Sequence, residues 1–173
     1  MGSHLTLKSA LALPNSPRSI PQLGFGVYKS LREVCIRSCL TALEAGYRHI
    51  DTAQYYANEA EVGEAIKKAK VPRSELFITT KIMTPGDDLE QTYSSILESV
   101  NKIDGKDGYV DLFLIHSPNG GQDARKVMWL ALEKAKGAGR VREIGVSNYG
   151  KGHIEEIKEF GTIWPPAVNQ IEV

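Results

Sequence analysis

Apolar residues follow two alternating rhythms along the chain. Short runs of strand length occur at Leu23-Gly24-Phe25-Gly26-Val27, Tyr47-Arg48-His49-Ile50 and Leu76-Phe77-Ile78-Thr79-Thr80. Three more follow at Val110-Asp111-Leu112-Phe113-Leu114-Ile115, Arg142-Glu143-Ile144-Gly145-Val146 and Ala167-Val168-Asn169-Gln170. Between them, residues 30–45, 59–70, 89–103, 123–138 and 150–160 carry apolar side chains at helical spacing, with charged residues on the outer face. Gly46 ends the first of these stretches as a helix-stop residue. Strand then helix, five times over, followed by a sixth strand, predicts a parallel sheet with crossover helices. Residues 1–22, rich in Pro and Ser between 14 and 21, read as a lead-in that starts with a tag remnant, Met1-Gly2-Ser3-His4. Residues 23–173 read as the folded unit.

Periodicity alone leaves two closures open, a doubly wound sheet or a barrel. The polar residues separate them. Asp51 follows the second strand, Lys81 the third, His116 the fourth, Ser147 and Asn148 the fifth, and Gln170 closes the sixth. Polar residues at five successive strand ends are hard to explain as packing. In barrel enzymes the working side chains stand at the C-terminal ends of several strands. The expected architecture is α/β, a (β/α)8 barrel truncated to about six strands and five helices.

Composition narrows the function classes. Of 173 residues, 42% are hydrophobic and 24% charged, an ordinary globular balance. Lys+Arg and Asp+Glu number 21 each, so no net field recruits nucleic acid or an anionic membrane. No apolar run approaches the roughly 20 residues of a membrane span. Cys35 and Cys39 lie four apart within a helical pattern, where core packing is expected and a disulfide is geometrically poor. A cytoplasmic, reducing setting fits this cysteine usage. The expected partner is a small molecule, with neither nucleic acid nor membrane.

The segment Gly46-Tyr47-Arg48-His49-Ile50-Asp51-Thr52-Ala53, followed by Glu59 and then Val62-Gly63, resembles the first signature of the aldo-keto reductases. Ile144-Gly145-Val146-Ser147-Asn148-Tyr149 resembles their second. Ile20-Pro21-Gln22-Leu23-Gly24-Phe25-Gly26, Leu114-Ile115-His116 and Val168-Asn169-Gln170 fall where that family has its first, fourth and sixth strands. The resemblance implies reduction of aldehydes or ketones with a nicotinamide cofactor, NADPH more than NADH. It also implies a catalytic set of Asp51, Tyr56, Lys81 and His116. Tyr55 adjoins Tyr56, but the family's offset from the aspartate selects Tyr56. Ser147, Asn148 and Gln170 match the residues that bind the nicotinamide carboxamide.

The chemistry of such a set is coherent. Hydride arriving at a carbonyl carbon builds negative charge on the oxygen, which then needs a proton. A phenol near pKa 10 is a weak donor; an adjacent ammonium from Lys81 is expected to lower it. Asp51 would keep Lys81 charged, and His116 would orient the carbonyl oxygen. Taken singly, each residue has an ordinary alternative. Asp51 could form a turn, Tyr56 could pack, Lys81 could be solvated, and His116 could be a core histidine, as His49 is expected to be. No metal-ligand spacing joins the histidines and cysteines. Gly24-Phe25-Gly26 lacks the third glycine of a dinucleotide fingerprint. Tyr28 and Ser117 stand where relatives often carry pocket tryptophans, so an aromatic-lined aldehyde pocket is not assumed.

The resemblance also implies strands seven and eight and a C-terminal clamp for the cofactor phosphate, beyond what residues 1–173 supply. A second reading therefore stands beside the first. In it the chain is a non-catalytic half-barrel, a fragment or an assembly module, with self-association through open strand edges.

Overall fold

The computed structural model describes residues 6–172, so the expected tag remnant at Met1 to His4 lies outside the described residues. Six parallel strands run in chain order across one sheet: β3 (Phe25–Gly26), β4 (His49–Asp51), β5 (Phe77–Ile82), β6 (Val110–Ile115), β7 (Val141–Ser147) and β8 (Asn169–Gln170). Between them lie α1 (Arg32–Glu44), α2 (Glu59–Lys68), α3 (Leu89–Asp104), α4 (Gly121–Gly137) and α5 (Lys151–Glu156). This is the expected half-barrel of six strands and five helices. It is preceded by an antiparallel hairpin, β1 (Ala10–Ala12) with β2 (Ser19–Pro21), inside the segment read as a lead-in.

Strand alternation sorts side chains onto two faces. Along β5, Ile78 and Ile82 join the helix-side core with Val62, Ile66, Ile96 and Val100, while Phe77 joins a separate inner cluster. The same parity along β6 sends Phe113 and Ile115 to the helices and Leu112 and Leu114 inward. Leu13 completes the inner cluster with Ile20 against it, so the hairpin seals the base of the barrel. Cys35 and Cys39 are free and fully buried in the helix-side core, as their spacing predicts.

Local chemistry sets the helix ends. Gly46 takes φ +101°, a left-handed conformation that turns the chain from α1 into β4. Asp88 caps α3 by accepting the backbone N–H of Gln91 at 2.8 Å. Gly63 of α2 lies against the last turn of α3; a Cβ there would meet the carbonyl oxygen of Lys102 at 2.2 Å. The fifth helix is shorter than the pattern over 150–160 suggests. It gives way at Ile157 to a 3-10 turn through Glu159, tightening where Gly161 must pass the Trp129 ring. Among the described residues, no helix is long and apolar enough to cross a membrane.

Candidate active site

The sheet brings the strand-end polar residues to one mouth. The parallel register sets Asp51 beside Thr79 and Lys81 beside Leu114, while Ser147 pairs with Gln170 across β7 and β8. Lys81 lies within β5 rather than after it, on the inward parity of Phe77 and Thr79. Its side chain is almost wholly buried and forms an ion pair with Asp51. The ammonium also donates to the carbonyl of Thr52 at 3.0 Å.

Tyr56 ends a 3-10 turn, Gln54–Tyr56, between β4 and α2. Its ring lies 5.1 Å from the Lys81 ammonium and 5.6 Å from the His116 ring, nearly perpendicular to the latter. His116 directly follows β6, and its backbone N–H donates to the Ile82 carbonyl at 2.8 Å. The four residues singled out from the sequence thus meet at one place. A pocket of about 520 Å³ opens over them, lined by Tyr28, Tyr56, His116, Ser147, Asn148 and Gln170 among others.

Burial sets the protonation states. The Tyr56 hydroxyl is pushed up to about 12, chiefly by burial and then by the Asp51 carboxylate and Tyr28. This corrects the expectation that Lys81 makes the phenol more acidic. The Asp51 carboxylate beside the ammonium acts on the phenol in the opposite sense, and desolvation outweighs both. Tyr56 is therefore protonated throughout the neutral range, the state a proton donor requires. Burial, then the Lys81 charge, hold His116 below the usual histidine range against the pull of Asp51, which leaves a neutral imidazole at pH 7. Burial also lowers Lys81, with Asp51 opposing.

The residues expected to meet a carboxamide form a connected edge of the pocket. Ser147 Oγ donates to the Gln170 carbonyl at 2.9 Å, and Asn148 Nδ2 donates to the His116 carbonyl at 3.1 Å. Asn148 holds φ +61°, a left-handed backbone that a non-glycine residue adopts at a cost. Gln170 Nε2 donates to Asp51 Oδ2 at 3.0 Å, a link between the two groups that strand-end reasoning does not reveal.

Sequence reasoning also passes over Asn58. It is buried, accepts from Thr52 Oγ1 at 2.7 Å, and donates to the carbonyls of Val27 and Ser30, each at 2.9 Å. It thereby holds the loop that carries Tyr28, whose ring lies 4.9 Å from that of Tyr56. The only sequence signal is an Asn directly before a helix, and that signal suggests a cap. The side chain makes no such cap bond. His49 is buried and bonded to Thr79 Oγ1 at 2.9 Å, as its core reading predicts.

Comparison with known proteins bears on the family and the fold. The model of the aldo/keto reductase family matches residues 27–173. An aldo-keto reductase of Mycolicibacterium vanbaalenii is 43% identical over 171 residues, covering 96% of this chain and 60% of that protein. Morphine 6-dehydrogenase of Pseudomonas putida is 40% identical, covering 96% and 55%. The chain thus spans little more than half the length of these relatives. A crystal structure of an aldo/keto reductase from Brucella melitensis superimposes with a TM-score of 0.86 at 40% identity, over 95% of this chain and 63% of that one. A Bombyx mori aldo-keto reductase solved in complex with NADP gives 0.80 at 34% identity, over 95% and 58%. Sequence signatures, barrel topology and matched relatives all lead to one placement: this chain belongs to the aldo/keto reductase family.

Proposed function

We propose that this protein reduces an aldehyde or ketone to the alcohol with NADPH, using Tyr56 as the proton donor. The observation that carries the reading is the convergence of Tyr56, Lys81, Asp51 and His116 under one pocket. NADPH is favoured because a similar enzyme, that of Bombyx mori, was solved with NADP. The donor set fits a nicotinamide: the Ser147 hydroxyl and the Asn148 and Gln170 amides offer a carboxamide both donors and acceptors at the pocket edge. When bound, the cofactor supplies the hydride equivalent that the carbonyl carbon receives.

This chain's own residues handle the oxygen. The neutral His116 ring orients the carbonyl with a ring N–H. Tyr56 gives its hydroxyl proton to the oxygen as charge develops there, so the product leaves as a neutral alcohol. Lys81, locked by Asp51 and the Thr52 carbonyl, stands beside the phenol and stabilises the phenolate left behind. Water then restores the proton to Tyr56.

The test is turnover of 4-nitrobenzaldehyde with NADPH, followed by cofactor absorbance and alcohol product, in the wild-type chain and in Tyr56→Phe. Loss of turnover with cofactor fluorescence changes retained supports the assignment. Turnover retained in Tyr56→Phe overturns it. The half-barrel assembly reading rests on a different observation: among the described residues, β3 and β8 each carry an edge unpaired within the sheet. Concentration-dependent association of a chain that neither binds NADPH nor turns over would favour it.

A further inference from the structure

On the helix side of the sheet, behind the pocket, lies a second polar cluster. Thr80 precedes Lys81 on β5 and, by strand parity, points the opposite way. Its hydroxyl donates to Glu59 Oε1 at 2.6 Å. Glu59 is the first residue of α2 and only 4% exposed. Its other oxygen accepts from Ser99 Oγ of α3 at 3.0 Å. Ser99 Oγ in turn accepts from Gln54 Nε2 at 2.9 Å, and Gln54 also reaches Ser95 Oγ at 3.1 Å. Gln54 opens the short turn that ends at Tyr56.

A buried carboxylate is expensive unless its lone pairs are met. Here hydroxyls from two other elements meet them, so the bonds are directional and tolerate little displacement. The acceptor requirement is strict as well. With an amide in place of the carboxylate, one of the two hydroxyls, Thr80 or Ser99, would face an NH2 group and lose its acceptor. A cavity of about 410 Å³ lined by Gln54, Glu59, Ser95, Ser99, Glu98 and Lys102 adjoins the cluster, so packing alone does not hold this corner rigid.

We infer that Glu59 is a positioning residue, whose two carboxylate oxygens pin the chain neighbours of Lys81 and, through Ser99 and Gln54, of Tyr56, and so set the separation of ammonium and phenol. The inference rests on the proposed carbonyl reduction for its functional meaning, but the contacts stand without it.

The test reads Tyr56 directly. The chain, carrying tyrosine labelled with ¹³C at Cζ, is titrated by NMR without cofactor or substrate, with the Tyr56 signal assigned from Tyr56→Phe. The groups around this phenol are Asp51, Tyr28, Lys81 and His116. In Glu59→Gln the loosened turn exposes more of the ring to water, and its titration falls from about 12 toward the ordinary value near 10. Glu98→Gln, at the exposed rim of the same cavity, titrates as wild type. With NADPH and 4-nitrobenzaldehyde, Glu59→Gln loses about 10- to 100-fold in kcat with little change in KM. An unmoved Tyr56 titration in folded Glu59→Gln overturns the inference, as does an equal shift in Glu98→Gln. Should Glu59→Gln fail to fold, Ser99→Ala, which removes one link only, is read by the same two outcomes. A shifted titration in a chain without any reductase activity supports the positioning and removes the functional reading, so the two fail separately.

Discussion

The base and the mouth of this half-barrel each bury an ion pair, and they use it differently. At the base, Asp111 Oδ2 accepts from Arg73 and from the backbone N–H of Ile78, both at 2.9 Å. Arg73 also faces Asp104 at 3.2 Å and donates to the Tyr109 carbonyl at 2.8 Å. Every strong partner there belongs to the scaffold, and the Leu13 hairpin shuts the end. At the mouth, Lys81 and Asp51 are paired just as closely, but their neighbours Tyr56, His116 and Gln170 face an open pocket. A buried pair can lock a structure or hold a charge beside a reaction. What distinguishes the two is whether the surrounding polar groups are consumed by the fold or left to meet a ligand.

The contrast breaks most sharply at Tyr56. Tyr56→Phe lowers carbonyl turnover by about 10²- to 10⁴-fold, the usual worth of a general acid, with an unchanged melting temperature. A loss of stability instead would make Tyr56 a packing residue. Next in size, Asp111→Ala costs about 3 kcal/mol in denaturant unfolding, toward the low end for a broken buried pair because Asp104 still faces the guanidinium. It leaves the Tyr56 titration in place; a shift there would show that base and mouth are coupled.

Leu13→Ala costs about 2–3 kcal/mol, because it leaves a void against Phe77, Leu112 and Leu114. A cost near zero would make the hairpin ornamental. The smallest effect is on pH dependence. Burial lowers His116, so its folded value lies below its unfolded one. The unfolded chain then binds more protons, and stability falls as pH drops through about 6.5 toward the lowered folded value. His49 is shifted in the same direction by burial and contributes likewise. His116→Gln should flatten part of this acid limb in melting temperature, and an identical limb would deny the burial of the ring.

The strands and helices were legible because burial on both faces writes apolar runs, and crossover helices write their own period. The hairpin was not. Ala10–Ala12 and Ser19–Pro21 are short and largely unpatterned, and Leu13 matters only once Phe77, Leu112 and Leu114 surround it. The strand-end residues could be named from spacing, and their meeting at one mouth follows from barrel geometry. The direction of the Tyr56 shift could not, because desolvation depends on what covers a group, and no residue in the one-dimensional text records that. Glu59 was visible within its motif, yet its partners come from positions 80 and 99, on other elements.

Since every strand of the main sheet pairs with its neighbour in the chain, the sheet can be laid down in order as the polypeptide emerges. The contact from Gln170 to Asp51 is of another kind, joining residues 119 positions apart. Asp51 and Lys81 can find each other early, while the second donor to that carboxylate must wait for the last strand described. A nascent chain can therefore bring Lys81 to Asp51 well before the Gln170 amide reaches the same carboxylate.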